Sequence, residues 1–174
     1  LSDPRIVELP RVLWLPILYG AILLTRPRRS ARAYAGIWTA EGSPLLALSK
    51  RLTALIERNF KAKHVDDLVV GLGMRYGKPS IASAFDQLLA ANARRILIMP
   101  LYPQYAGATT ASVYDAVFAH CRKLRWVPEL RFVGDYHADE RYIEAVSQSI
   151  SEFWATHGRG ERLLLSFHGI PRDY

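Results

Sequence analysis

Apolar residues recur every three or four positions in two long stretches of the chain, residues 43–59 and 138–156. This spacing places them along one face of a helix, so both stretches are predicted to be amphipathic helices. Ser43-Pro44 supports a helix start there, because proline suits the first helical position. Two further helices are predicted over residues 80–93 and 110–125.

Short uninterrupted apolar runs alternate with these helices and are predicted to be buried strands. Strands that alternate with helices favour an α/β fold, in which a parallel sheet has helices on both faces. Ligands of such sheets bind at the carboxyl ends of the strands, so the segments that follow the runs are the candidate sites. The four predicted strands are 65–72, 95–100, 130–134 and 163–165, and the segments after them are 71–78, 100–110, 134–137 and 166–172.

The most apolar stretch, residues 12–24, is interrupted by Pro16 and Gly20. It is shorter than the ~20 residues that span a membrane, and we predict a buried helix. Contact with a membrane surface is the alternative, helped by the arginines that follow within 26–32. Those arginines are themselves predicted to form a solvated helix face. Ser2-Asp3-Pro4 has the composition of a helix start.

Composition and charge narrow the class of protein. The chain has 174 residues, of which 50% are hydrophobic and 22% charged, as in a folded globular protein. Its single cysteine, Cys121, permits neither an intrachain disulfide nor a cysteine-based zinc site, and fits a reducing compartment such as the cytoplasm. The net charge of +7 favours an acidic partner. No helix-turn-helix, zinc-finger or RNA-binding signature is present, so no nucleic-acid partner is predicted.

The loop Gly71-Leu72-Gly73-Met74-Arg75-Tyr76-Gly77 approaches the dinucleotide fingerprint G-x-G-x-x-G, but its third glycine is one residue late. No acidic residue stands about 20 positions further on, where nucleotide binding needs one. We therefore interpret the loop as a turn whose glycines let a strand end pack tightly. Tyr102-Pro103-Gln104-Tyr105 follows the next predicted strand and forms either a stiff platform for a flat apolar ligand or a packed structural loop.

Ser166-Phe167-His168-Gly169-Ile170-Pro171 is the segment with the sharpest chemical signal. A histidine that leaves a strand end accepts a proton or binds a metal near neutral pH. Taken alone, such a histidine is more often a hydrogen-bonded structural residue. Ser166 is not predicted to be a nucleophile, since the chain has no G-x-S-x-G motif.

Taken together and in this order, several of these segments resemble the ferrochelatase family over nearly the whole chain, in a form similar to proteobacterial members. Cobalt and nickel chelatases share the fold but lack the segments Tyr102-Pro103-Gln104-Tyr105 and Ser166-Phe167-His168-Gly169-Ile170-Pro171. The segments that carry the resemblance are Arg26-Pro27-Arg28-Arg29-Ser30-Ala31, Glu41-Gly42-Ser43-Pro44-Leu45, Arg75-Tyr76-Gly77, Tyr102-Pro103-Gln104-Tyr105 with Thr109-Thr110, and Ser166-Phe167-His168-Gly169-Ile170-Pro171.

The resemblance implies a chelatase fold, with Rossmann-like parallel sheets in two α/β lobes that clamp a porphyrin. The first lobe would be residues 1–127, without its first strand, and residues 128–174 would begin a truncated second lobe. The implied enzyme is a lyase that inserts ferrous iron into protoporphyrin IX to form protoheme. Porphyrin and ferrous iron are its substrates, and no further cofactor is required. A cytoplasmic location is implied, with peripheral membrane contact through residues 12–24; coproporphyrin as substrate and the oligomeric state stay open.

The resemblance also implies roles for individual residues. His168 is the catalytic residue on the metal side, and would accept pyrrole protons, receive the iron, or both. Family members continue past Tyr174 and there carry a glutamate that faces this histidine, so the 174-residue chain alone is expected to be inactive. A non-catalytic tetrapyrrole-binding module is the alternative function. The implied porphyrin contacts are Arg28, Arg29, Tyr34, Ser43, Arg75, Tyr76 and Tyr114, with Ser43, Arg28, Arg29 and Arg32 as candidates for the propionates.

Overall fold

The computed structural model describes residues 1–65 and 67–170. These residues form six α-helices, two π-helical turns and a two-stranded sheet. In chain order they are α1 (Arg11–Ile17), a π-helical turn (Leu18–Ile22), α2 (Leu23–Ala35), α3 (Pro44–Ala62), α4 (Ile81–Ala90), β1 (Arg95–Ile98), a second π-helical turn (Gly107–Ala111), α5 (Ser112–Cys121), β2 (Glu129–Phe132) and α6 (Glu140–His157).

Strands β1 and β2 are parallel, and helix α5 lies between them in the chain, which makes a β-α-β unit. Ile96 pairs with Leu130, and Ile98 with Phe132. The buried core is formed by Phe85 of α4, Ile96 of β1, and Val117 and Cys121 of α5. Partly buried apolar side chains surround this core, among them Ile81, Leu88, Leu89, Ile98, Leu124, Leu130 and Phe132. The α/β class predicted from the alternation of patterns is confirmed.

The predicted helices over 43–59, 80–93, 110–125 and 138–156 are confirmed with small shifts at their ends. Local chemistry fixes where they begin. Ser80 accepts a hydrogen bond from the amide of Ser83 at 3.0 Å, which satisfies one of the free amides of the first turn of α4. Asp139 does the same for the amide of Arg141 at the start of α6.

Two of the four predicted strands are not formed. Val65 and residues 67–72 adopt no strand, and Val69 is 52% exposed. Leu163–Leu165 are also outside any strand, and Leu164 is 90% exposed. An apolar run favours burial, but it forms a strand only when a neighbouring strand pairs with its backbone N–H and C=O groups. In the part of the chain that the structure describes, β1 and β2 pair only with each other.

The N-terminal part also differs from the prediction. Residues 4–6 form a turn instead of a helix, and the first helix begins at Arg11. The apolar stretch 12–24 is helical but not buried: Val12 is 85% exposed, and Leu18 is its one buried residue. Pro16 lies inside α1 and removes a helical hydrogen bond, and the π-helical turn follows two residues later.

The pairing of β2 with β1 crosses the predicted boundary between residues 127 and 128. Strand β2 therefore shares its sheet with the preceding segment, and the division into lobes over 1–127 and 128–174 stays a prediction. Among the described residues, no helix combines the length and the apolar character needed to cross a membrane.

Candidate functional site

The carboxylate of Asp3 is the centre of a polar cluster that joins three distant parts of the chain. Its Oδ2 accepts a hydrogen bond from Ser112 Oγ at 2.6 Å, one from Tyr76 OH at 2.7 Å, and a third from the guanidinium of Arg75. Its Oδ1 accepts from the amide of Arg5 at 2.9 Å. Arg75 also donates from Nε to Ser112 Oγ at 2.7 Å. The side chain of Asp3 is 4% exposed, so these partners replace water almost completely.

The cluster stabilises Asp3 in its charged form. Burial alone would raise the pKa of Asp3, but the hydrogen bonds from Ser112, Tyr76 and the Arg5 amide, with the charge of Arg75, outweigh it and hold the pKa below its usual value. Burial also raises the pKa of Tyr76, and its hydrogen bond to Asp3 adds to that effect. The carboxylate therefore keeps its charge, the phenol keeps its proton, and the charge of Arg75 is balanced inside the cluster.

Glycines shape the loop that presents Arg75 and Tyr76. A Cβ on Gly73 would lie 2.9 Å from the Cα of Ile81, so glycine is needed where the loop crosses the start of α4. Gly77 has φ of +98°, a conformation that other residues rarely adopt. The amide of Met74 donates to the carbonyl oxygen of Pro79 at 2.7 Å and closes the loop. The tight packing agrees with our interpretation of this near-fingerprint as a structural turn.

Tyr76 presents a flat surface beside the cluster. The guanidinium of Arg75 lies 4.6 Å from the centroid of the Tyr76 ring, and the residue is nevertheless 53% exposed. Tyr114 lies two residues beyond Ser112 on α5, but its hydroxyl donates to the carbonyl oxygen of Val133 at 2.9 Å. Its ring packs against Phe132 with the centroids 4.5 Å apart. Burial raises the pKa of Tyr114.

The other predicted porphyrin contacts lie on different elements. Arg28, Arg29 and Tyr34 are exposed on α2, and Tyr34 is 58% exposed. Ser43 is half-buried at the start of α3 and its side chain does not cap the helix. Within the described residues, no hydrogen bond or ion pair connects these four side chains with the Asp3 cluster.

His168 lies in an exposed segment that follows α6 and is outside any helix or strand. Its Nδ1 is 2.6 Å from the carbonyl oxygen of Gly169. A carbonyl oxygen only accepts hydrogen bonds, so Nδ1 carries the proton in this contact and neutral His168 has its lone pair on Nε2. Pro171, the last residue of the predicted motif, lies outside the described residues. Across residues 1–65 and 67–170, no three His, Cys, Asp or Glu side chains converge as metal ligands would.

The sequence reasoning missed Asp3 and Ser112. The composition of Ser2-Asp3-Pro4 predicts a helix start, whereas the carboxylate of Asp3 accepts from the amide of Arg5 in a turn. The two residues are 109 positions apart, so no local pattern relates them. The available signal was chemical: Arg75 at the end of an apolar run needs a nearby anion if its charge is buried.

Comparison with known proteins decides the family. The family model described as ferrochelatase matches residues 1–174. The chain belongs to the ferrochelatase family. It is 53% identical over 171 residues to a ferrochelatase from Methylibium petroleiphilum, which covers 98% of this chain and 47% of that protein. It is 50% identical over 174 residues to a ferrochelatase from Thioalkalivibrio sulfidiphilus, covering 100% and 47% respectively.

A ferrochelatase from Bordetella pertussis is 52% identical over 172 residues, with 99% of this chain and 47% of that protein covered. The chain thus spans about half the length of the curated ferrochelatases it matches. No solved structure matches the chain significantly. Membership of the ferrochelatase family agrees with the α/β architecture, and confirms the family resemblance drawn from the sequence motifs.

Proposed function

We propose that the whole protein is a porphyrin metal chelatase, a lyase that inserts ferrous iron into protoporphyrin IX and forms protoheme. The observation that carries this proposal is the match to the ferrochelatase family through all 174 residues, the His168 segment included. Ferrous iron and the porphyrin are substrates, and the proposal requires no additional cofactor. The shortness of this chain relative to its relatives supports the further proposal that it inserts little or no iron alone.

His168 is the proposed catalytic residue. Metallation of a porphyrin releases two pyrrole N–H protons, so a neutral base beside the ring centre favours the reaction. The contact of Nδ1 with the Gly169 carbonyl supports this role, because it leaves the lone pair of a neutral imidazole on Nε2. The same lone pair is the one that could receive ferrous iron.

The remaining predicted residues are proposed to bind the porphyrin. Tyr76, which is half-exposed, its sequence neighbour Arg75, and Tyr114 on α5 would contact the macrocycle. Arg28 and Arg29 are exposed cations on α2 and, with Ser43, would bind the propionates, since a guanidinium pairs well with a carboxylate.

The test is iron insertion by the whole protein, with ferrous iron and protoporphyrin IX. We expect His168→Ala to lower kcat at least about a hundredfold, the range for loss of a proton-transfer residue. Porphyrin binding, followed by fluorescence quenching, should persist. His137→Ala is the matched control, since His137 is likewise an exposed histidine. A wild-type protein that binds porphyrin without inserting iron would instead identify the non-catalytic tetrapyrrole-binding module.

We also propose peripheral contact of residues 12–24 with a membrane at its cytoplasmic face. Val12, Leu13 and Leu24 are 85%, 63% and 70% exposed, and the arginines of α2 follow directly. Exposed apolar side chains beside cations suit an anionic lipid surface. Co-sedimentation with vesicles that contain phosphatidylserine tests this contact. Leu24→Asp should weaken it, and equal binding by wild type and variant would contradict it.

A further inference from the structure

The four hydrogen-bond donors around Asp3 use both oxygens of one carboxylate. Oδ2 accepts from Ser112, Tyr76 and Arg75, and Oδ1 accepts from the amide of Arg5. Only an ionised carboxylate offers two acceptor atoms with a full negative charge in this space. An asparagine would offer one acceptor atom, and its NH2 group would face the hydrogen-bond donors that contact the second carboxylate oxygen.

These contacts restrain the two side chains proposed to meet the macrocycle. Arg75 is held at two of its nitrogens, one by Asp3 and one by Ser112. Tyr76 is held by its hydroxyl, at the end of the side chain furthest from the backbone. The backbone and the hydroxyl are two fixed points that set the axis of the ring, and the guanidinium of Arg75, 4.6 Å from the ring centroid, restrains rotation of the ring about that axis. The residue nevertheless stays half-exposed.

We propose that Asp3 is a positioning residue for porphyrin binding: it orients the Tyr76 ring and anchors the Arg75 guanidinium, without touching the substrate. The inference rests on the proposed function and adds to it a positioning role for the N-terminal turn. Because the charge of Arg75 is balanced by Asp3, Arg75 serves here as a rigid planar support for Tyr76, and the propionates are left to other cations.

Asp115 provides a matched control. Arg5 donates to the carboxylate of Asp115 from Nε at 2.8 Å and from a terminal nitrogen at 3.2 Å, so Asp115 ties the same N-terminal turn to the same helix α5. Both side chains of that pair are about half-exposed, and among the described residues no hydrogen bond or ion pair joins it to the Tyr76 side chain. Asp115→Asn therefore removes a tether between the same two elements, but only Asp3→Asn releases Arg75 and Tyr76.

The experiment compares both variants in the whole protein by iron insertion into protoporphyrin IX. Without Asp3, the Tyr76 ring and the Arg75 guanidinium would have to be immobilised when the porphyrin binds, so Asp3→Asn should raise the KM for porphyrin about tenfold. The kcat should change by less than about twofold, because a binding contact made equally in the ground and transition states affects KM alone. Asp115→Asn should leave both constants unchanged.

Tyr76→Phe provides a second variant that keeps the ring and removes the hydroxyl held by Asp3. It should raise the KM in the same direction, and in the double variant with Asp3→Asn the two effects should not add, because both break one contact. Additive effects, or equal KM values for Asp3→Asn and Asp115→Asn, would overturn the positioning role. If Asp3→Asn does not fold, Tyr76→Phe decides the question: a KM for this variant equal to that of wild type would by itself overturn the positioning role.

A measurement independent of activity separates this inference from the proposed function. Carbon-13 NMR of the tyrosine Cζ nuclei follows the titration of the Tyr76 phenol, whose pKa is raised by burial and by Asp3. In Asp3→Asn the titration should move to lower pH, and in Asp115→Asn it should not. A wild-type protein without iron insertion would refute the proposed function, whereas an unmoved Tyr76 titration would refute the Asp3 contact.

Discussion

Arg75 and His168 each follow a short apolar run of the chain, yet their side chains occupy opposite surroundings. Arg75 is three-quarters buried and makes side-chain hydrogen bonds to Asp3 and Ser112. His168 is exposed, and its one side-chain hydrogen bond among the described residues is to the carbonyl of its own neighbour. The loop at Arg75 packs against the start of α4 and is hydrogen-bonded to the start of α5, whereas the segment at His168 lies outside every described helix and strand.

This difference in surroundings predicts which property of the protein a substitution in each region will change. Substitutions in the packed region change the free energy of unfolding, because they create cavities, crowd the backbone or leave buried polar groups without partners. Substitutions in an exposed segment leave that free energy nearly unchanged, and their effects appear in chemistry or binding. The following predictions test this division on the 174-residue chain, from the largest expected effect on stability to the smallest.

Phe85→Ala should have the largest effect. Phe85 of α4 is 3% exposed at the centre of the core, where it packs with residues of α5 and β1. Its removal should lower the free energy of unfolding by about 3–5 kcal/mol, measured by urea denaturation. Phe60→Ala is the control, since Phe60 is 39% exposed on α3. Similar losses for both variants would mean that the core does not lie where the structure puts it.

Asp3→Asn should lower the free energy of unfolding at pH 7 by about 1.5–3 kcal/mol, the contribution of hydrogen bonds to a charged group. The sign of its pH dependence follows from the lowered pKa of Asp3. The stabilisation is present above the usual value of 3.8 and is lost as the pH falls below 3.8 through the folded-state pKa.

Urea unfolding of wild type and Asp3→Asn between pH 2 and pH 7 checks this prediction. The two curves should converge at acidic pH, because protonation removes the same charge in the wild type. A difference that stays constant down to pH 2 would show that the charge of Asp3 does not contribute.

The sequence alone predicts those helices and strands whose signal lies within one segment of the chain. Helical periodicity predicted α3 and α6, and continuous apolar runs predicted β1 and β2, because those signals lie within each segment. The runs at 65–72 and 163–165 carried the same signal without a pairing strand in the described sheet. Hydrophobicity alone does not reveal which neighbour a strand will have.

The candidate site shows the same limit. Motif order led to Arg75, Tyr76 and His168, since each motif is local. The partner of Arg75 and Tyr76 is Asp3, more than 70 residues away, in a turn that looked like a helix start. The prediction that residues 12–24 form a buried helix was wrong. Hydrophobicity shows that a segment has an apolar surface, but it does not show which part of the protein would cover that surface.

Gly73→Ala should lower the free energy of unfolding by about 1–3 kcal/mol, the usual cost of overpacking. The new Cβ would lie 2.9 Å from the Cα of Ile81, and a backbone atom cannot move aside as a flexible side chain can. Gly134→Ala is the control, because nothing lies within 4 Å of its Cβ position. A Gly73→Ala chain as stable as Gly134→Ala would contradict the tight passage of the loop over α4.

His168→Ala should have the smallest effect on stability, within about 0.5 kcal/mol of wild type, as for most exposed substitutions. The side chain is exposed and its one described contact is to the adjacent residue, so its loss leaves no cavity and no buried group without a partner. Urea denaturation at pH 7 measures this value. A loss near that of Phe85→Ala would show that the segment is packed against the core in solution and would remove the contrast between the two regions. An unchanged stability, set against the large loss of iron insertion expected in the whole protein, would place the contribution of His168 in the reaction and not in the fold.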